Sequence, residues 1–153
     1  MLPVFSKFLE RIVDNRLINF LNKNDILSRN QYGFRKNYST AHALIQLYDK
    51  ISSALDDKKV SLGFFIDSSK AFDTVNHEIL LDKLEHYGVL GIALQWFKSY
   101  LSYRKQFVQY NSYNSSLLHI TCGVTQGSTL GPLLFLVYIN DLCSVSKLSL
   151  IHI

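Results

Sequence analysis

Three stretches of the sequence hold residue types that could do chemistry. In Phe64-Phe65-Ile66-Asp67-Ser68-Ser69-Lys70-Ala71-Phe72-Asp73, a carboxylate follows directly on an apolar run. A carboxylate at the end of a buried strand is costly unless it is paired or bound to a cation. Its oxygens are the ligands that hard ions such as Mg²⁺ prefer, and a strand end is rigid enough to hold one. Asp67 is thus either a metal ligand or the cap of a turn. In Gly123-Val124-Thr125-Gln126-Gly127-Ser128-Thr129-Leu130-Gly131-Pro132, glycines would let the backbone approach a ligand closely, and Gln126 could present amide donors and acceptors. The pattern is neither a Walker nor a Rossmann motif, and an ordinary loop leading into a helix would look the same. In Gln31-Tyr32-Gly33-Phe34-Arg35-Lys36-Asn37-Tyr38-Ser39-Thr40, basic and aromatic residues interleave. Charges there could meet phosphates and rings could stack on bases; the alternative is a solvated basic loop before a capped helix.

The elements that must position these residues follow from periodicity. A helix is expected from Pro3 to about Asn22, with Val4, Phe5, Phe8, Ile12, Leu17 and Leu21 roughly in helical register. Ser39-Thr40 supplies cap chemistry for a second helix to about Leu55, whose face is Leu44, Leu47, Tyr48, Ile51 and Leu55. Val60–Ile66 reads as a short buried strand. A third helix covers about Asn76–Tyr87, with Gly88 as its stop, and a fourth about Ile92–Ser102. Arg104–Tyr110 and Ser116–Thr121 read as an antiparallel hairpin joined by Asn111–Ser115. Pro132 opens a helix to about Asp141 that is apolar nearly all round and so buried. Leu148–Ile153 reads as a further strand. Helices combined with an antiparallel hairpin give an α+β class.

Composition narrows the classes. The chain has 153 residues, 48% hydrophobic and 13% aromatic, enough to build a core and to exclude global disorder. Charged residues make up 18%, below the ~25% usual for soluble domains. The net charge is +4, with ten basic and six acidic residues in the first sixty. That suits a polyanion only weakly, since many ordinary domains share it. Cys122 and Cys143 make neither a metal-spaced pair nor a disulfide framework. The strongest apolar run, Leu130–Ile139, is interrupted by Gly131-Pro132 and falls short of the ~20 residues that a membrane span needs. Glu10 and Arg11 break the early apolar stretch before a signal core could form. The chain is therefore expected inside the cell, in nucleus or cytoplasm, neither secreted nor in a membrane.

Together the three stretches resemble the reverse transcriptase of non-LTR retrotransposons, of the LINE or jockey-like kind. The Gln31–Thr40 stretch resembles the fingers motif of that group, Phe65–His77 resembles palm motif A, and Gly123–Phe135, continued by Tyr138–Leu142, resembles motif B. The resemblance runs from about Leu2 to the end. It implies a right-hand polymerase core, fingers-like over about 1–58 and 80–122 and palm-like over about 59–79 and 123–153, with no thumb. It implies RNA-templated DNA synthesis from dNTPs on a DNA primer, with two Mg²⁺ ions at the reacting phosphate. Asp67 then matches the catalytic metal ligand, and the backbone carbonyl of Ser68 would face the second ion. Phe72 matches the ring that excludes a ribose 2′-hydroxyl, and Ala71, Gln126 and Gly127 would line the nucleotide. Arg35 and Lys36 would lie near template or primer backbone.

Departures from that pattern shape the expectation. Thr125 stands where Pro is usual and Ser68 where an apolar residue is usual, and both loosen a site that relies on rigidity. The family's Tyr/Phe-Ala-Asp-Asp motif has no counterpart. Asp56-Asp57 precedes motif A, and Leu148–Ile153 is where the family would enter the missing motif. Met1–Lys7 resembles the tail of a preceding fingers motif. One carboxylate cannot hold two metal ions about 3.5–4 Å apart, so the chain is expected to be an incomplete polymerase, inactive alone. The alternatives are a non-catalytic RNA- or protein-binding remnant, or a functionless relic. Leu130–Leu142 and Leu148–Ile153 are expected to be uncovered apolar faces that favour self-association.

Overall fold

The computed structural model describes residues 4–125 and 127–144. In chain order it has α1 (Val4–Lys23), α2 (Thr40–Asp56), α3 (His77–His86), α4 (Gly91–Leu101), β1 (Lys105–Gln106), β2 (Gln109–Tyr110), β3 (Tyr113–Asn114), β4 (Leu118–His119), α5 (Gly131–Ile139) and a 3₁₀ turn over Asn140–Ser144. This is an α+β arrangement, as the element pattern predicts. None of the described helices is long and apolar enough to cross a membrane.

The core is built around α5. Pro132 lies in its first turn, where its missing donor is harmless. Leu133, Leu134, Phe135, Leu136 and Val137 are all buried, so the helix has no solvent face over that stretch. Helix α3 packs against both α4 and α5. It contributes Leu80 and Leu84, α4 contributes Phe97 and Leu101, and α1 contributes Leu17 and Leu21. Burying each such leucine contributes about 1.5–3 kcal/mol.

Local chemistry sets the helix ends. The Asn76 side chain accepts from the backbone N–H groups of Glu78 and Ile79 at 2.9 and 3.1 Å and starts α3. Gly88, at φ +93°, ends it. The Val89 N–H donates to Leu84 O and the Gly88 N–H to Glu85 O, both at 2.9 Å, a Schellman arrangement that satisfies the last carbonyls. The Ser39 side chain accepts from His42 N–H and starts α2, as expected.

Four expectations are corrected. Val60–Ile66 is not a buried strand: it runs without strand pairing, with Val60 95% and Phe65 91% exposed. A strand needs a neighbour to take its backbone hydrogen bonds, and among the described residues none pairs with it. The hairpin is antiparallel but broken. Strand β1 pairs with β4 (Lys105 opposite His119), β2 pairs with β3 (Tyr110 opposite Tyr113), and the turn shortens to Asn111-Ser112. Between the ladders two residues of one side face three of the other, an arrangement of the bulge type. The apolar faces of α2 and of the first half of α1 are exposed, α2 burying only Ala43. Finally, the segment from Leu130 to Val137 is covered within the chain, so the uncovered apolar surface lies instead on Val60–Ile66, α2 and the start of α1. Leu148–Ile153 and Met1–Pro3 lie outside the described residues.

Candidate functional site

Beyond the extended 60–66 segment the chain turns at Lys70, at φ +56°, where Asp73 N–H donates to Lys70 O at 2.8 Å. It then runs as Phe72–Asn76 alongside Cys122–Val124. Val124 N–H donates to Phe72 O at 2.9 Å and Gly123 N–H to Val75 O at 2.7 Å, and Asn76 forms an antiparallel bridge with Cys122. The His77 ring donates from Nε2 to Gly123 O at 2.8 Å. Two motifs about fifty residues apart in sequence are thereby joined through their backbones.

Gly123 shows why this join needs glycine. Its φ is +87°, and a Cβ would meet backbone atoms of Asp73 at 3.0–3.3 Å. The close approach suggested by the sequence is made to the neighbouring motif's own backbone. Gly127, at φ +78°, has open space where a Cβ would stand. Gly131 packs on Ser128, whose Oγ accepts from Gly131 N–H at 2.9 Å at the start of α5.

The third motif arrives through aromatic contact. Phe72 lies 5.6 Å from Phe34 at 86°, edge to face, and 4.7 Å from Phe135 at 34°. One chain of rings therefore links the three stretches singled out in the sequence. Arg35 holds the Gln31–Thr40 loop: its Nη1 donates to Ser28 O, just before the loop, at 2.8 Å, and its guanidinium sits 4.3 Å from the Tyr38 ring centroid. The Ile26–Ser28 turn, which precedes this loop and accepts from Arg35, is tied to the end of α5 by Asn140. Its Oδ1 accepts from Ser28 N–H and its Nδ2 donates to Ile26 O, each at 2.8 Å.

The predicted site residues divide accordingly. Phe72 and Ala71 are half-buried against the core. Asp67, Ser68, Lys36 and Gly127 are exposed, and Arg35 is half-buried. Gln126 lies outside the described residues. Among the described residues no group of three His, Cys, Asp or Glu side chains could hold a metal ion. Of the predicted site residues that are described, Asp67 is the single carboxylate available to a metal ion.

A feature not anticipated from the sequence is Glu10, 2% exposed within α1. Its carboxylate accepts from Tyr100 OH at 2.9 Å and, through the other oxygen, from Thr129 N–H at 2.9 Å. It thus joins α1, α4 and the loop that leads into α5. Burial, reinforced by the bond to the Glu10 carboxylate, pushes the Tyr100 phenol up to about 12. The signal was present in the spacing, since Glu10 is in helical register with Leu17 and Leu21. Beside the glycine loop lies a groove of about 1020 Å³, lined by Lys7, Asp73, Arg104, Lys105 and the backbone of Gly123–Thr125.

Comparison with known proteins places these observations. Residues 1–151 match the family described as reverse transcriptase (RNA-dependent DNA polymerase). The chain is 38% identical over 148 residues to the probable RNA-directed DNA polymerase from transposon BS of Drosophila melanogaster, covering 93% of this chain and 16% of that protein. It is 34% identical over 142 residues to the RNA-directed DNA polymerase from mobile element jockey of the same fly, covering 93% of this chain and 15% of the relative. The chain thus spans about one sixth of the length of these relatives.

Proposed function

Because the chain belongs to the reverse transcriptase (RNA-dependent DNA polymerase) family, we propose that it forms part of the fingers and palm of an RNA-directed DNA polymerase and does not polymerise DNA by itself. In this reading residues 1–58 and 80–122 are fingers-like, and 59–79 and 123–153 are palm-like. Asp67 supplies one carboxylate, and Ser68 a backbone carbonyl, toward the divalent metal that such enzymes use; the remaining ligands come from outside the described residues. Phe72 faces the nucleotide sugar, with Ala71, Gln126 and Gly127 beside it. Held between Phe34 and Phe135, the Phe72 ring cannot easily swing aside, and a fixed ring is what exclusion of a 2′-hydroxyl requires. Arg35 shapes its loop through the carbonyls it binds, while exposed Lys36 reaches template or primer phosphate.

The observation that carries this reading is the aromatic chain Phe34–Phe72–Phe135, which brings the three motif stretches to one place. The test is primer extension by the purified chain on an RNA template with a DNA primer, dNTPs and Mg²⁺. No incorporation is expected. Incorporation that disappears on Asp67→Asn would overturn the expectation that these residues do not polymerise by themselves.

The lone exposed Asp67, with no metal-holding cluster among the described residues, also favours a second reading, that of a non-catalytic RNA-binding remnant. It is distinguished by grafting residues 4–144 in place of the matched segment of an active jockey-type polymerase. RNA-templated synthesis by the graft supports the polymerase reading, and a folded graft that binds RNA without synthesis supports the remnant.

A further inference from the structure

We propose that the hairpin Tyr103–His119, whose foot opens into the groove beside the glycine stretch, is a binding arm for single-stranded nucleic acid. The proposal deepens the polymerase reading by naming the partner of a surface which that reading leaves unused.

The first observation is exposure. All eight residues of the four strands are exposed, so the hairpin lays neither face on the core. A two-stranded hairpin packed on nothing is marginal in water, and an arm of this kind gains its order from a partner. The second is residue type. Tyr103, Phe107, Tyr110 and Tyr113 present rings to solvent, Tyr113 at 81% exposure. Tyr110 and Tyr113 are directly opposed across the ladder and so share a face as a two-ring platform. The third is charge. From His86 to Asn140 the sequence contains no Asp or Glu, while it carries Lys98, Arg104 and Lys105. At the foot of the arm Lys105 is opposed to His119. Lys7, Arg104 and Lys105 line the groove of about 1020 Å³ beside the glycine loop, with Asp73 as its acidic lining residue.

Rings in an acid-free, cation-flanked arm match the chemistry of single-strand recognition. Ring faces stack on bases of any identity, and cations at the foot meet the phosphates. A duplex offers no free base faces, so a single strand is the fitting partner. A protein partner would have use for the rings but would leave the absence of carboxylates without a role.

The experiment is fluorescence anisotropy of a labelled oligouridylate with the 153-residue chain across a salt series. Arg104→Ala/Lys105→Ala is expected to weaken binding and to flatten the slope of log K against log salt by about 1.4, two contacts at about 0.7 each for a single strand. Tyr110→Ala/Tyr113→Ala is expected to weaken binding about tenfold or more with the slope unchanged. Circular dichroism checks that each variant stays folded, and Lys105→Glu provides a second test of charge without loss of side-chain bulk. Four outcomes overturn the proposal: wild-type affinity in both double variants, duplex RNA competing as well as single strand, no binding by the parent chain, or binding insensitive to salt. Loss of binding only on Arg35→Ala/Lys36→Ala would sink the hairpin proposal while leaving the polymerase reading intact. Primer extension by the chain alone would do the reverse.

Discussion

Glu10 and Gly123 carry more of the site than their types advertise. Glu10 is buried in the core with both carboxyl oxygens hydrogen-bonded, to Tyr100 and to Thr129, so it fixes the loop beside the glycines from behind. Glu10→Gln should let the Tyr100 phenol fall from about 12 toward its ordinary 10.0, leaving the rise due to burial opposed by the lowering effects of Ser128 and Arg104. Ultraviolet titration of this variant against Tyr100→Phe measures it. The sign for stability follows. A phenol whose pKa is raised on folding favours the folded state fully below its unfolded value, and that contribution is lost as pH rises through the folded one. Stability should therefore decline between pH 10.0 and about 12. Tyr100→Phe should remove that component of the decline in denaturant titrations run across the window. Gly123→Ala places a Cβ against the Asp73 backbone at a positive φ. It should cost about 1–3 kcal/mol, read as a lowered denaturation midpoint. Its position in a glycine motif was legible; that the close neighbour is Asp73 was not, because the sequence does not say which distant backbone approaches.

At the scale of elements, the helices are stated locally and the sheet is not. Helix α3 contains its own start and stop: Asn76 accepts two N–H bonds, and Gly88 takes the left-handed turn that closes it. Asn76→Ala should cost about 1 kcal/mol in thermal or denaturant unfolding. Lys83 adds a link that only packing reveals. From α3 it donates to the Tyr138 carbonyl and pairs with Asp141 at 2.6 Å, placing a cation at the carbonyl end of α5. The hairpin was legible as an antiparallel pair, but its register was not. Register in a strand pair comes from the turn and from burial of one face, and here neither face of the pair is buried. With no core side to choose, alternation along Arg104–Tyr110 could not fix the partners, and the turn tightened to Asn111-Ser112.

The whole molecule combines a well-covered helical core with apolar surface that nothing in the described residues covers. Leu62, Phe64, Phe65 and Ile66, together with Leu44, Tyr48 and Leu55 of α2, are exposed. Patches of this kind drive association. The chain should self-associate with rising concentration in sedimentation velocity, and Leu62→Lys/Phe65→Lys should shift it toward monomer without lowering its denaturation midpoint, since neither side chain is buried. An unchanged mass distribution in that variant would place the association elsewhere. By itself the sequence determined the helices, the Ser39 cap and the Gly88 stop, the all-round apolar character of α5, the three motif stretches and the family, because periodicity, capping and motif spacing are short-range properties written in neighbouring residues. Only the tertiary structure decided that Val60–Ile66 runs exposed and without a strand partner among the described residues, that Gly123 seats against Asp73, that Glu10 is buried under the glycine loop, and that Phe34, Phe72 and Phe135 meet. Each of these depends on which remote segment supplies the neighbour: a strand exists only with a partner for its backbone, and a carboxylate is tolerated in a core only where distant donors converge on it.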